Sequence, residues 1–209
     1  MLSALFVTLA ANFFYGIMPA RWLCEFDELP TEMHLPGFRS GAGAFWSAAV
    51  LLLSFYANVK AGLSLFLSVV LVCVAAAAIS DMEYMIIPDQ LIVIAAAAAI
   101  LLNIRSCESV TAGLRCSLEG AVCAGGLMLA SALLSFFLYG TACIGFGDVK
   151  LMLVCGALAG SCLKAAFLFV AAVMSSTVFI SFGLMLHRLR TDSFIPMAPF
   201  IALAAIICM

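Results

Sequence analysis

The chain has 209 residues, 67% hydrophobic and only 10% charged, with a mean hydropathy of +1.26. A soluble domain is nearer half apolar and a quarter charged, so this composition excludes an ordinary soluble protein and reads as an integral membrane protein in a lipid bilayer. The net charge is −2, and no run of Lys or Arg offers a nucleic-acid surface.

The apolar stretches are continuous and rich in Ala, Leu and Gly, with no strand-like alternation, so the expected fold is an all-α polytopic helix bundle. A helix needs about 20 apolar residues to cross the hydrocarbon, which leaves room for six to eight spans and no separate soluble domain. The reading in chain order has about eight. Span one covers residues 2–20, and its start lacks the positive charge of a cleaved signal peptide, so it is expected to be retained. A polar loop at 21–39 carries Cys24, Glu25, Asp27, Glu28, Glu32 and His34, broken by Pro30 and Pro36. Trp22 and Trp46 flank it as interface anchors. Span two runs over 42–57 and a tight turn occupies 58–62. Residues 1–62 thus form an N-terminal two-span region, and 63–209 a six-span core.

Span three, 63–80, ends at Asp81. Pro88 disfavours helix at the residue before it and restarts the chain. Span four covers 90–103, a loop 105–115, and span five 117–139. Residues 149–186 are too long for one helix and divide near 160–164. A loop at 187–192 leads to the last span, 195–209, which opens with Pro196 and Pro199. Gly156-Ala-Leu-Ala-Gly160 is a small-xxx-small pattern that permits close helix packing. Asn12 and Asn103 read as interhelical hydrogen bonders or loop caps.

The nine cysteines include no Cys-x-x-Cys pair, which argues against a metal ribbon or a thioredoxin-like site. Cys73, Cys123, Cys155 and Cys162 fall in apolar runs and read as packing residues. Cys107 and Cys116 share a polar loop, where a disulfide depends on the compartment.

Two ionisable residues stand out. Asp81 and Asp148 lie at the edges of apolar runs, where a charge is expensive and therefore marks function by default. They occur in Asp81-Met-Glu-Tyr-Met-Ile-Ile-Pro-Asp89 and in Gly145-Phe-Gly147-Asp148-Val-Lys150. Two spans separate them, so they share one membrane side. An isolated Asp at a helix end is more often a cap. Two on one side, each in a breaker-rich motif, point instead to a proton-sharing pair. Such a pair activates a water with one carboxylate and polarises a carbonyl with the other. Gly145 and Gly147 are read as allowing close backbone approach and unusual torsions beside Asp148. Lys150 either tunes the local field or extends toward the headgroups, the second being favoured.

The two motifs, with the ending Ile195-Pro-Met-Ala-Pro-Phe-Ile-Ala-Leu-Ala204, resemble the type IV prepilin peptidases, the Gly-x-Gly-Asp membrane aspartyl proteases. The resemblance covers about residues 63–209. It implies that Asp81 and Asp148 are the catalytic pair, with Glu83, Asp89, Gly145, Gly147 and Lys150 in support. It also implies cleavage of the leader from pilin-like precursors, at the cytoplasmic face of a bacterial cytoplasmic membrane. That face would carry Arg21, Arg39, Lys150, Arg188 and Arg190, against Lys60, Arg105, Arg115 and Lys164 opposite. The bias agrees in sign with the positive-inside rule but is too thin to orient the bundle alone.

Bifunctional members of that family carry two Cys-x-x-Cys pairs in the first loop, hold zinc there and N-methylate the product. Here the loop has only Cys24, with His34, short of the four ligands of a structural zinc site. No metal or cofactor is expected, and peptidase activity is expected without methylation. The acidic residues 25–32 are read as a solvated loop rather than a leader-binding surface. The competing functions are a small proton- or cation-coupled transporter relaying through the two aspartates, and an inactive scaffold for pilin assembly.

Overall fold

A computed structural model of the chain describes residues 65–140, 144–186 and 195–208, apart from the side chains of Leu65, Glu83, Tyr84 and Tyr139. The expected two-span region 1–62, with its loop, tryptophans and Asn12, lies outside the described residues, as does the loop at 187–192. Six helices are described: α1 (Leu65–Tyr84), α2 (Asp89–Ser106), α3 (Val110–Tyr139), α4 (Phe146–Ala159), α5 (Cys162–Met185) and α6 (Ala198–Cys208). No strand occurs among the described residues. The all-helical expectation therefore holds there, while a total of eight spans rests on residues outside them.

Three of these helices, α2, α3 and α5, are long and apolar enough to cross a membrane, and α1 and α6 carry shorter apolar stretches, Phe66–Met82 and Ala198–Cys208. Their outward faces are apolar too, with Phe137, Phe167, Phe182 and Met185 well exposed. Such faces suit lipid, where the backbone must satisfy itself within each helix. Helix α4 differs. At 14 residues it is about 21 Å long, short of the about 30 Å hydrocarbon core. Nine of those residues are buried, so α4 is an internal helix, packed against α2, α3, α5 and α6.

Small residues let α4 reach that position. Gly120 of α3 and Gly156 of α4 bring their backbones together: a Cβ on Gly120 would collide with the Gly156 carbonyl oxygen, and one on Gly156 with Gly120 and Ala124. Asn103 then ties three helices, its Nδ2 donating to Ser117 Oγ at 2.9 Å and to the Ala157 carbonyl at 2.7 Å. The expectation of an interhelical hydrogen bonder fits this residue. The Gly156–Gly160 pattern divides its labour. Gly156 serves packing, whereas Gly160 adopts a left-handed φ of 65° and ends α4, a position that favours glycine.

Two boundaries differ from the reading of the sequence. Helix α3 starts at Val110, not near 117, because Ser109 caps it by accepting the Ala112 N–H at 3.2 Å. Its polar first turns also carry an Arg115–Glu119 ion pair at 3.0 Å, one turn apart and exposed. Helix α4 starts two residues ahead of Asp148, which places that aspartate in a first turn.

Candidate active site

The C-terminus of α1 and the N-termini of α2, α4 and α6 meet at one end of the bundle. Helix α1 closes with the Met85 N–H donating to the Asp81 carbonyl at 3.0 Å, and Met85 itself takes a left-handed φ of 56°. That conformation is costly for a residue with a Cβ. Ser80, buried one residue before Asp81, donates from Oγ to the Ile86 carbonyl at 2.7 Å and holds the turn. Pro88, at φ −65°, is the N-cap of α2. Between them Ile87 turns inward and is buried.

Gly147 meets that turn. A Cβ there would stand 3.3 Å from Ile87 Cβ and Cδ1, a crowding that glycine avoids. Gly145 is the N-cap of α4 with φ −71° and ψ 148°, an extended conformation open to any residue. Neither glycine has a positive φ. Close approach therefore explains Gly147 and, more weakly, Gly145, where a Cβ would lie 3.3 Å from Asp148 Oδ2. The unusual torsions expected of this motif do not occur.

Asp81 and Asp148 are brought together here. Both are buried, at 6% and 9% exposure, and near enough for their carboxyls to interact electrostatically. Their surroundings differ. One Asp81 oxygen, Oδ2, accepts the Ala198 backbone N–H at 3.0 Å, with the Met197 N–H beside it. These are the orphan donors at the N-terminus of α6, where the helix favours an anion. Asp148 lies at the third position of α4 and accepts from the N–H of its N-cap, Gly145. This is the carboxylate half of a capping box. Its other oxygen, Oδ1, is buried without a protein hydrogen-bond partner. A buried acceptor in that state is costly unless a proton or a substrate group meets it.

Asp89 and Lys150 join the same end. Lys150 Nζ donates to Asp89 Oδ1 at 2.7 Å and Oδ2 at 3.0 Å, and lies 5.2 Å from the centre of the Phe146 ring. The favoured reading, extension toward the headgroups, gives way to a clamp between the first residue of α2 and the fifth of α4. Glu83 belongs to the last turn of α1, and its side chain lies outside the described residues.

Sequence reasoning missed Ser80 and the Met197–Ala198 backbone. The usable signal for the second was Pro196 and Pro199, which bracket a helix start whose free N–H groups need an acceptor. Cys107 and Cys116 are free thiols in contact with one another. Among the described residues no group of three or more His, Cys, Asp or Glu could hold a metal.

The arrangement is that of a polytopic membrane protein with two carboxylates enclosed at one end of its bundle, each anchored by a helix N-terminus. The model of the type IV leader peptidase family matches residues 67–208; the chain belongs to that family and is on that ground a peptidase. No curated protein and no solved structure matches it.

Proposed function

We propose that the protein is an aspartyl endopeptidase that removes the leader from type IV pilin-like precursors, with Asp81 and Asp148 as its catalytic pair. The observation that carries this reading is the convergence of two buried carboxylates from α1 and α4, one of them keeping an oxygen without a protein partner. Two such groups share one proton rather than ionise together. The Met197 and Ala198 N–H groups give the single negative charge a place on Asp81. Asp148, whose Oδ1 lacks a donor, then holds the shared proton.

In the reaction Asp81 takes a proton from a water lying between the carboxyls, while Asp148 donates to the oxygen of the scissile carbonyl. The resulting gem-diol collapses as Asp81 passes its proton to the leaving amine and Asp148 takes one back from a diol hydroxyl, which restores the pair. Gly147 serves by letting α4 approach the α1–α2 turn, and the Asp89–Lys150 clamp keeps Asp148 at that turn.

The substrate class follows from the family and from the position of the pair at one end of the bundle. A precursor whose leader lies on the cytoplasmic side and whose apolar segment enters the bilayer would present its cleavage point there. Loop 21–39 carries one cysteine, so the product is expected to leave with an unmodified N-terminus. A relay for protons or cations does not account for two carboxylates gathered at one end, and a scaffold does not need them buried.

The test is incubation of the protein in membranes with a pilin-like precursor, followed by mass analysis of the product. The expected result is loss of the leader alone. A methylated product would overturn the second half of the proposal, and an uncut precursor the first.

A further inference from the structure

Between α3 and α5 lies a pair of sulfurs that the peptidase reading does not use. Cys123 lies midway along α3, and Cys162 is the first residue of α5. Their sulfurs are 2.8 Å apart, with Cys162 donating to Cys123. The Cys123 thiol also reaches the Cys162 carbonyl at 3.3 Å. Both are free thiols, Cys162 exposed and Cys123 partly so. The sulfurs stand within about 1 Å of the bonding distance of a disulfide. The Cys123 sulfur thus meets both the sulfur and the carbonyl of Cys162, two contacts between the same pair of residues.

Polar and charged groups flank the pair. Glu119, exposed and charged, is one turn before Cys123 on α3, and so lies on the same face. Ser161 and Lys164 bracket Cys162, the Ser161 Oγ accepting the Lys164 N–H at 3.4 Å. This is the end of α4 opposite to Asp148. Under the orientation proposed above it faces away from the cytoplasm, toward the compartment where disulfides persist.

We propose that Cys123 and Cys162 are a redox pair that forms a disulfide stapling α3 to α5. Only the choice of compartment rests on the proposed function. The oxidant is a low-molecular-weight or protein disulfide. The Cys162 thiolate, the more accessible, attacks one sulfur of the oxidant and releases its first thiol. The Cys123 thiolate then attacks the Cys162 sulfur of that mixed disulfide and releases the second. The two cysteines are oxidised, the oxidant is reduced to two thiols, and these keep the two protons. The new bond joins the helix that packs on Gly156 of α4 to the helix that follows α4. Two of the four helices packed on the helix carrying Asp148 are thereby joined.

The experiment uses the full-length protein, purified and incubated with glutathione disulfide, then denatured and alkylated without reductant. Mass analysis after proteolysis should find the Cys123 and Cys162 peptides joined, with both sites losing their alkyl label and regaining it after reduction. The bond should persist in the Cys107→Ser/Cys116→Ser double variant and vanish in Cys123→Ser. Oxidised wild type should also unfold at a higher temperature than the reduced protein, a difference absent in Cys123→Ser. Full alkylation of both residues after oxidation, a bond from either to another cysteine, or glutathione retained on Cys162 would each overturn the proposal. An unchanged unfolding temperature would overturn the staple. None of these readouts requires peptidase activity.

Discussion

The carboxylate of Asp81 accepts the backbone N–H of Ala198 at 3.0 Å, across 117 residues of sequence. The last helix thus receives its N-terminal acceptor from the first described one, and the same contact holds the carboxylate in place. Capping and positioning are one interaction, so the ordinary structural role of an Asp at a helix end is satisfied without removing it from the site.

A proline at position 198 tests that contact. Proline is accepted at the first position of a helix, where it removes only an N–H that lacks an intrahelical partner. A hydrogen bond to a charged group contributes about 1.5–3 kcal/mol, so Ala198→Pro should lower leader cleavage about tenfold or more. The folded protein should still be recovered in normal yield from the membrane. Cleavage at the wild-type rate would show that Asp81 does not depend on this donor.

The Asp89–Lys150 pair has one half-exposed partner, and pairs of that kind contribute only about 0–1 kcal/mol to stability. Lys150→Met and Asp89→Asn should therefore leave thermal stability nearly unchanged while each slows cleavage several-fold. In the double variant the losses should not add, because both remove one clamp. Additive losses would mean that the two residues act separately.

Helix α4 depends on the meeting of Gly120 and Gly156. Gly156→Leu drives a side chain into Gly120 and Ala124, and overpacking of this kind costs about 1–3 kcal/mol or more. The expected result is loss of folded protein in detergent, read by thermal aggregation. Gly126→Ala is the control: a Cβ there meets nothing within 4 Å, and the helix should gain up to about 1 kcal/mol.

Met85 occupies a left-handed backbone conformation beside the site. That costs about 1–2 kcal/mol for a residue with a Cβ, and the Met85 side chain is half-exposed. Met85→Gly should raise thermal stability. A decrease would mean that packing of the methionine outweighs the strain.

The two aspartates were legible because an ionisable side chain beside a long apolar run has few structural reasons to be there. Their common membrane side was legible from parity alone, and the meeting of α1, α2, α4 and α6 at one end agrees with it. The donors to Asp81 were not legible, since any residue carries a backbone N–H and only the fold brings position 198 to position 81. The start of α3 was misread because Arg115 suits a loop as well as the exposed turn of a helix. Cys123 and Cys162 read as packing residues for a similar reason: each is ordinary in its own segment, and only the packing of α3 on α5 makes them a pair. The torsions assigned to Gly145 and Gly147 failed because glycine at a helix start can serve by size alone.

The proposed catalysis requires Asp81 and Asp148 to act as one pair. The most direct measurement is leader removal from a pilin-like precursor, in membranes holding equal amounts of folded wild type, Asp81→Asn or Asp148→Asn. Wild type should cleave the precursor and neither variant should. Cleavage surviving in one of them would contradict the pairing, because a carboxamide can neither take up nor hold the shared proton.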